Sequence, residues 1–303
     1  MVLSPKPLAA AFAFALAACA VNDTAPSDPA PPAALMTWPD LFARERPSPT
    51  ASIQYGDDQM QAVDLWLPAG SGPHPVVLMV HGGCWQTEIA DRRIMNWIAE
   101  DLRVRGIAVW NIDYRGVDRA GGGYPGTFLD AAAAADALRT HADEYRLDLG
   151  RVVAVGHSAG GHLALWLAGR RRLPPRSPLR TAGDPIAIST AISLGGLPDL
   201  EEAARPPGSG CGTEVIGKLT GGHYEDSSVP RLAPLGVRQV LVNGLQDGII
   251  PSVYAEAYAG QMRRSGDDVE VRMVDRTGHV ELIVPDSAAW KVTVGEIEKA
   301  LGR

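Results

Sequence analysis

Residues 151–161 read Arg-Val-Val-Ala-Val-Gly-His-Ser-Ala-Gly-Gly, an apolar run that feeds through a Gly-His-Ser-Ala-Gly turn into the helix-forming segment His162–Ala168, stopped by Gly169. Val152–Val155 has the continuous apolar character of a strand buried on both faces. The turn fits the pattern G-x-S-x-G, in which a serine sits on a strained strand-to-helix corner and flanking glycines avoid collisions that a Cβ would cause. The alternative is a Gly-rich turn with an incidental serine, so the reading depends on finding partners for Ser158 elsewhere.

Outward from this corner, strand-like and helix-like segments alternate. Ala51–Tyr55 and Ala62–Leu67, separated by Gly56-Asp57-Asp58, form a hairpin signal and an antiparallel start. Val76–Val80 reads as a central strand. A helix follows from about Asp91 to Arg105, a strand over Ile107–Tyr114, and an Ala-rich helix from Thr127 to about Tyr145. After the corner come a strand at Ala187–Leu194, an irregular Pro/Gly-rich stretch at Leu197–Leu235, a strand at Arg238–Val242, a helix at Pro251–Arg264, a strand at Val269–Val274 and a closing helix at Asp286–Leu301. This alternation predicts an α/β fold: a mostly parallel twisted sheet with helices on both faces. Gly121-Gly122-Gly123 lacks the Gly-Lys-Ser/Thr ending of a phosphate loop and reads as a plain loop.

A serine hydroxyl is a poor nucleophile near neutral pH unless a histidine base and an orienting acid reach it from later loops. Asp247, in Asn243–Gly248, follows one strand, and His279, in Thr277–Glu281, follows the next. Either alone is ordinary turn chemistry. Together with Ser158 they give the chain order Ser…Asp…His, with Asp275 as the rival acid. An oxyanion needs backbone N–H donors. Ala159, next to the serine, is one candidate; Gly83 and Cys84, in His81-Gly82-Gly83-Cys84-Trp85 after the Val76–Val80 strand, are the others.

These segments resemble the α/β-hydrolase superfamily, in particular its esterase/lipase-like and kynurenine-formamidase-like branch: His81–Trp85 for HGG-x-W, Asp113-Tyr114-Arg115, Gly156–Ala164 for GHSAGGHLA, and Gly278-His279. The resemblance runs from about residue 50 to the C-terminus and implies a catalytic domain over 51–303, with a short cover segment near 197–235. It departs at Cys84, where the lipase-type HGGG has a third glycine. It implies a serine hydrolase working through Ser158, Asp247, His279 and an acyl-enzyme, and the ready departure of an alcohol or phenol, with a cover at Leu197–Leu235 of modest length and few aromatics, narrows this to a serine carboxylesterase for short or aryl acyl esters. An arylformamidase or peptidase-like amide hydrolase, and a non-catalytic envelope lipoprotein that uses the fold for binding, are the alternatives. No H-E-x-x-H, paired Cys-x-x-Cys or carboxylate cluster points to a metal, and no cofactor is implied.

The chain has 303 residues, 46% hydrophobic and 21% charged, with a formal net charge of −7 that argues against nucleic acid as a partner. Its one basic cluster, Arg170-Arg171-Arg172, reads as a solvated helix C-terminus. Residues 1–18 have a short head with Lys6 and an apolar run from Leu8 to Ala18, too short for the ~20 residues of a membrane span and typical of an export signal. Leu16-Ala17-Ala18-Cys19 resembles a lipobox, so Cys19 is expected to carry a lipid that anchors an exported protein in a bacterial cell envelope. Residues 19–50 read as a Pro-rich tether, in which Trp38, Leu41 and Phe42 could form a short turn docked on the domain. Export places the remaining cysteines, Cys84 and Cys211, in an oxidising compartment; a disulfide between oxyanion loop and cover, or two separate buried thiols, fit the sequence about equally.

Overall fold

The run His74–Val80 (β3) owes its place at the centre of the sheet to having no polar face: every residue in it is buried. A computed structural model describes residues 1–4, 34–206 and 209–303; Cys19 and all but the first four residues of the expected export signal lie outside these described residues. Eight strands form one sheet. They are Ala51–Gln54 (β1), Ala62–Trp66 (β2), β3, Ala108–Ile112 (β4), Leu147–His157 (β5), Thr190–Leu194 (β6), Arg238–Gly244 (β7) and Val269–Val274 (β8), in the order β1-β2-β4-β3-β5-β6-β7-β8. β1 and β2 join antiparallel at one edge; all pairings from β4 to β8 are parallel.

Strand side chains alternate between two cores, as the period of two demands. Val76, Leu78 and Val80 of β3 share one face with Ala154 of β5, whereas Val77 and Met79 share the other with Val153 and Val155. Helix α1 (Trp38–Phe42), α2 (Asn96–Val104) and α9 (Ala288–Ala300) cover the second face. Helices α3 (Gly126–His141), α4 (Ala159–Gly169) and α8 (Val253–Arg264) cover the first. The expected α/β architecture is therefore present. Because the central strands are parallel, the loops after β3, β5, β7 and β8 all emerge at one edge, where open α/β sheets build their sites.

Three expectations change. The cover contains α5 (Leu200–Ala203), α6 (Thr213–Thr220) and α7 (Tyr224–Ser227) rather than irregular chain. Asp199 caps α5 by accepting from the Glu201 and Glu202 N–H groups, and Glu214–Lys218 bridges one turn of α6. Arg170 is not solvated: its guanidinium forks onto Asp136 at 3.0 and 2.7 Å and is 3% exposed. The compact unit begins at Leu35, not at residue 51. Thr37 and Asp40 form a capping box for α1, Leu41 is fully buried, and the chain after it is fastened by Asn96 donating to the Pro47 carbonyl and Trp97 to that of Glu45, each at 2.9 Å. Trp38, Leu41 and Phe42 fall at i, i+3 and i+4, one helical face, inside a composition otherwise typical of a tether.

Candidate active site

Ser158 is the single residue between β5 and α4, with φ 54° and ψ −122°. A non-glycine residue held there costs roughly 1–3 kcal/mol, which the surrounding packing must over-determine. Its N–H donates to the Leu194 carbonyl and its carbonyl accepts from Gly161 N–H, both at 2.8 Å. The neighbouring glycines are required: a Cβ on Gly156 would lie 1.9 Å from the Gly160 oxygen, and one on Gly160 would lie 2.2 Å from the Val80 oxygen. Strand and helix thus approach closely enough to set Ser158 on the wall of a cleft at the carboxyl edge.

The loops after β7 and β8 bring Asp247 and His279 together. Asp247 Oδ2 lies 2.7 Å from His279 Nδ1, and its Oδ1 accepts from the Ile249 and Ile250 N–H groups at 2.9 and 2.8 Å. A carboxylate against Nδ1 fixes the proton there and leaves Nε2 as the free base. Ser158 and His279 line the same cleft. Asp275 is not part of this arrangement. It is exposed, and hydrogen bonds from Gln246 Nε2 (3.2 Å) and Arg276 N–H (2.8 Å) hold its carboxyl below the usual range. Gln246 in turn accepts from Thr277 N–H at 3.0 Å, so Asp275 fastens the two loops to each other.

His157 is a site residue the sequence did not single out. Its Nε2–H donates to the His279 carbonyl at 3.1 Å, and the two rings lie 4.5 Å apart. Burial, reinforced by the neighbouring His279, pushes its pKa well below the ordinary value, so it serves as a neutral donor that positions the His279 backbone. Only its adjacency to the serine was visible in the sequence.

The loop after β3 has three successive residues in the left-handed region: Gly83 (φ 106°), Cys84 (φ 49°) and Trp85 (φ 53°). It presses on the corner so closely that a Cβ on Gly82 would lie 2.9 Å from the Ser158 Cβ. Among the described residues the N–H groups of Gly83, Cys84 and Ala159 donate to no acceptor, as donors reserved for a ligand would. A buried network braces the loop. His81 bonds Asp113 through Nε2 at 2.9 Å and stacks on Tyr114 at 4.4 Å, the Tyr114 hydroxyl donates to the His81 carbonyl at 3.0 Å, and Arg92 bridges Asp113 and Asp64 at 2.9 Å each. This accounts for the Asp113-Tyr114 pair.

Of the two sequence alternatives the structure has the disulfide: Cys84 and Cys211 are bonded, which ties the loop after β3 to the cover. Closing a loop across a sequence separation of 127 stabilises by about 5 kcal/mol in the chain-entropy account. Thiol titration of the denatured, unreduced chain is expected to find neither cysteine free, and Cys211→Ser to lower Tm by about 5–10 °C. Two free thiols with an unchanged Tm would contradict the bond.

The cleft has a volume of about 310 Å³ and a largely apolar wall made by Trp38, Phe42, Ile89, Ala90, Ile94 and Ile249. Trp38 lies edge-on to His157 and His279 at 6.2 and 6.4 Å. Two of the wall's residues therefore come from the segment expected to be tether. Among the described residues no group of three or more His, Cys, Asp or Glu is arranged to hold a metal ion.

Sheet order, corner and loop placement are those of an α/β-hydrolase fold. Residues 63–205 match the BD-FAE family model. The chain is 26% identical over 285 residues to a probable isoprenylcysteine alpha-carbonyl methylesterase of Arabidopsis thaliana, an alignment covering 83% of this chain and 57% of that protein, so the chain spans little more than half the length of this curated relative. Among solved structures, Thermogutta terrifontis esterase 2 phosphonylated by sarin superposes with a TM-score of 0.70 at 20% identity, covering 87% of this chain and 96% of that one. A truncated carbohydrate esterase from gut microbiota gives 0.68 at 17%, covering 84% and 98%. At these identities the two structures speak for the fold.

Proposed function

We propose that the chain is a serine carboxylesterase acting on short or aryl acyl esters. The observation that carries the reading is the 2.7 Å pairing of His279 with Asp247 on the cleft that Ser158 lines. In this mechanism Ser158 Oγ attacks the ester carbonyl carbon while His279 Nε2 takes its proton. The Gly83, Cys84 and Ala159 N–H groups receive the developing oxyanion, and His279 returns the proton to the leaving alcohol. Water then repeats the sequence on the acyl-enzyme and releases the acid. Asp247 holds the imidazole tautomer throughout.

Cleft size and lining support the substrate class. About 310 Å³ is at the small end for ligand pockets, and the apolar wall suits an alkyl or aromatic group better than the polar flanks of a peptide. An alcohol or phenol also leaves more readily than an amine. The names of the relatives, a methylesterase and two esterases, point the same way. Placement of the mature chain at a bacterial envelope membrane through Cys19 belongs to this proposal on sequence grounds.

The test compares kcat/KM on aryl acetate, aryl butyrate, a long-chain ester and N-formylkynurenine, with a fluorophosphonate probe to report an active serine. Acetate or butyrate should lead by at least tenfold, with the probe on Ser158. A lead for the formamide would make the protein an amide hydrolase, and absence of both labelling and turnover would favour the binding role.

A further inference from the structure

Among the described residues, the large apolar side chains that the fold leaves exposed come largely from the segments that frame the cleft. Apart from Val104 and residues 1–3, they are Leu35, Phe42, Ile89, Leu245, Ile249 and Val253. Phe42, Ile89 and Ile249 line the mouth of the cleft. A Cβ on Gly278, the residue before His279, would lie 3.3 Å from Leu35 Cδ1 and 3.9 Å from the Gln246 oxygen, so Leu35 packs beside the loop that carries His279 and near the backbone that follows Leu245. Val253 opens α8 just after Ile249 and Ile250. Single exposed apolar residues need no account, but a rim of them around an opening does.

A small ester does not supply that account. Leu245 and Val253, 53% and 59% exposed, lie outside the cleft's lining, so a molecule that fits the cleft leaves them in water. The chain itself indicates the occupant. It joins the compact unit at Leu35, itself a rim residue, and the segment before Leu35 carries the apolar run Leu8–Ala18 and Cys19. About 16 residues separate Cys19 from Leu35, at most about 55 Å of extended chain, so a lipid on Cys19 keeps this face within reach of a bilayer.

We infer that the rim is a membrane-docking surface: Leu35, Phe42, Ile89, Leu245, Ile249 and Val253 seat on a phospholipid bilayer, and the cleft opens onto its headgroup region. The orientation argument rests on the anchor reading above, whereas the rim stands without it. Seating apolar side chains at the headgroup boundary is favourable in proportion to the area removed from water. Esters dissolved in the membrane would then reach Ser158 without crossing bulk water.

The experiment uses the chain from residue 19 onward carrying Cys19→Ser, so that neither a lipid nor the apolar run Leu8–Ala18 contributes, and the same chain carrying Leu245→Ser and Val253→Ser as well. Both are sedimented with vesicles of phosphatidylethanolamine and phosphatidylglycerol. The doubly substituted rim should partition at least tenfold more weakly, while Tm and hydrolysis of a soluble aryl acetate stay within error and within twofold. Equal partition of the two proteins would overturn the proposal. So would a concentration-dependent dimer, seen by light scattering, that the rim substitutions dissolve without changing vesicle binding. Failure of the esterase reading would appear separately, as no hydrolysis by either protein, and the partition ratio would still decide the docking.

Discussion

Ser158→Ala is expected to lower kcat by about 10⁵–10⁶-fold while leaving Tm nearly unchanged. Alanine keeps the Cβ that the φ of 54° already has to accommodate, and the backbone bonds to Leu194 and Gly161 do not involve the side chain. The strained corner therefore survives the substitution. What is lost is, among the described residues, the only hydroxyl on the cleft wall beside His279. The remaining turnover reflects the N–H donors of the oxyanion loop and simple binding, which still exceed water alone. Single-turnover kinetics should show no burst of alcohol ahead of acid. Retention of more than about one per cent of wild-type kcat would remove Ser158 from the nucleophile role, whatever the effect on KM.

The parts of this site that were legible in the sequence are those enforced by local geometry. Gly156 and Gly160 are fixed by backbone approaches near 2 Å, and such contacts leave a spacing pattern that one chain displays. Asp247 and His279 follow strands with unbroken apolar runs, so their positions at the carboxyl edge follow from parallel topology. Asp247 and Asp275 both follow strands, and only the direction of each carboxylate in the folded chain separates them. Residues whose role depends on distant contacts were not legible. Trp38, Leu41 and Phe42 read as a short turn that could dock, but a five-residue helix in Pro-rich chain does not tell where it docks, and nothing local says that Trp38 and Phe42 line the cleft. The 127-residue separation of Cys84 and Cys211 likewise has no local signature. The apolar rim combines residues from α1 and the chain leading into it, the loop after β3, the loop after β7 and the start of α8, and exposure is a property of the folded surface rather than of any segment.

Asp247→Asn should cost about 10⁴ in kcat/KM, and Asp275→Asn less than about threefold. The reason lies in how the two oxygens of Asp247 are used. Oδ1 accepts from two backbone donors, Ile249 and Ile250 N–H, so in an asparagine the amide oxygen must take that side and the amide NH₂ must turn toward His279. A donor at 2.7 Å from Nδ1 can be accommodated only if Nδ1 gives up its hydrogen, which moves the proton to Nε2 and removes the lone pair that Ser158 needs. The loss is thus one of tautomer, with the loop geometry preserved, and Tm should fall by no more than a few degrees. At Asp275 an amide oxygen can still accept from Gln246 and Arg276, neither of which touches His279. Paired kcat/KM and Tm measurements on the two variants check the ranking. If Asp275→Asn proves the more damaging, the orienting acid is Asp275, and the Asp247–His279 contact serves only to fasten the loop after β7.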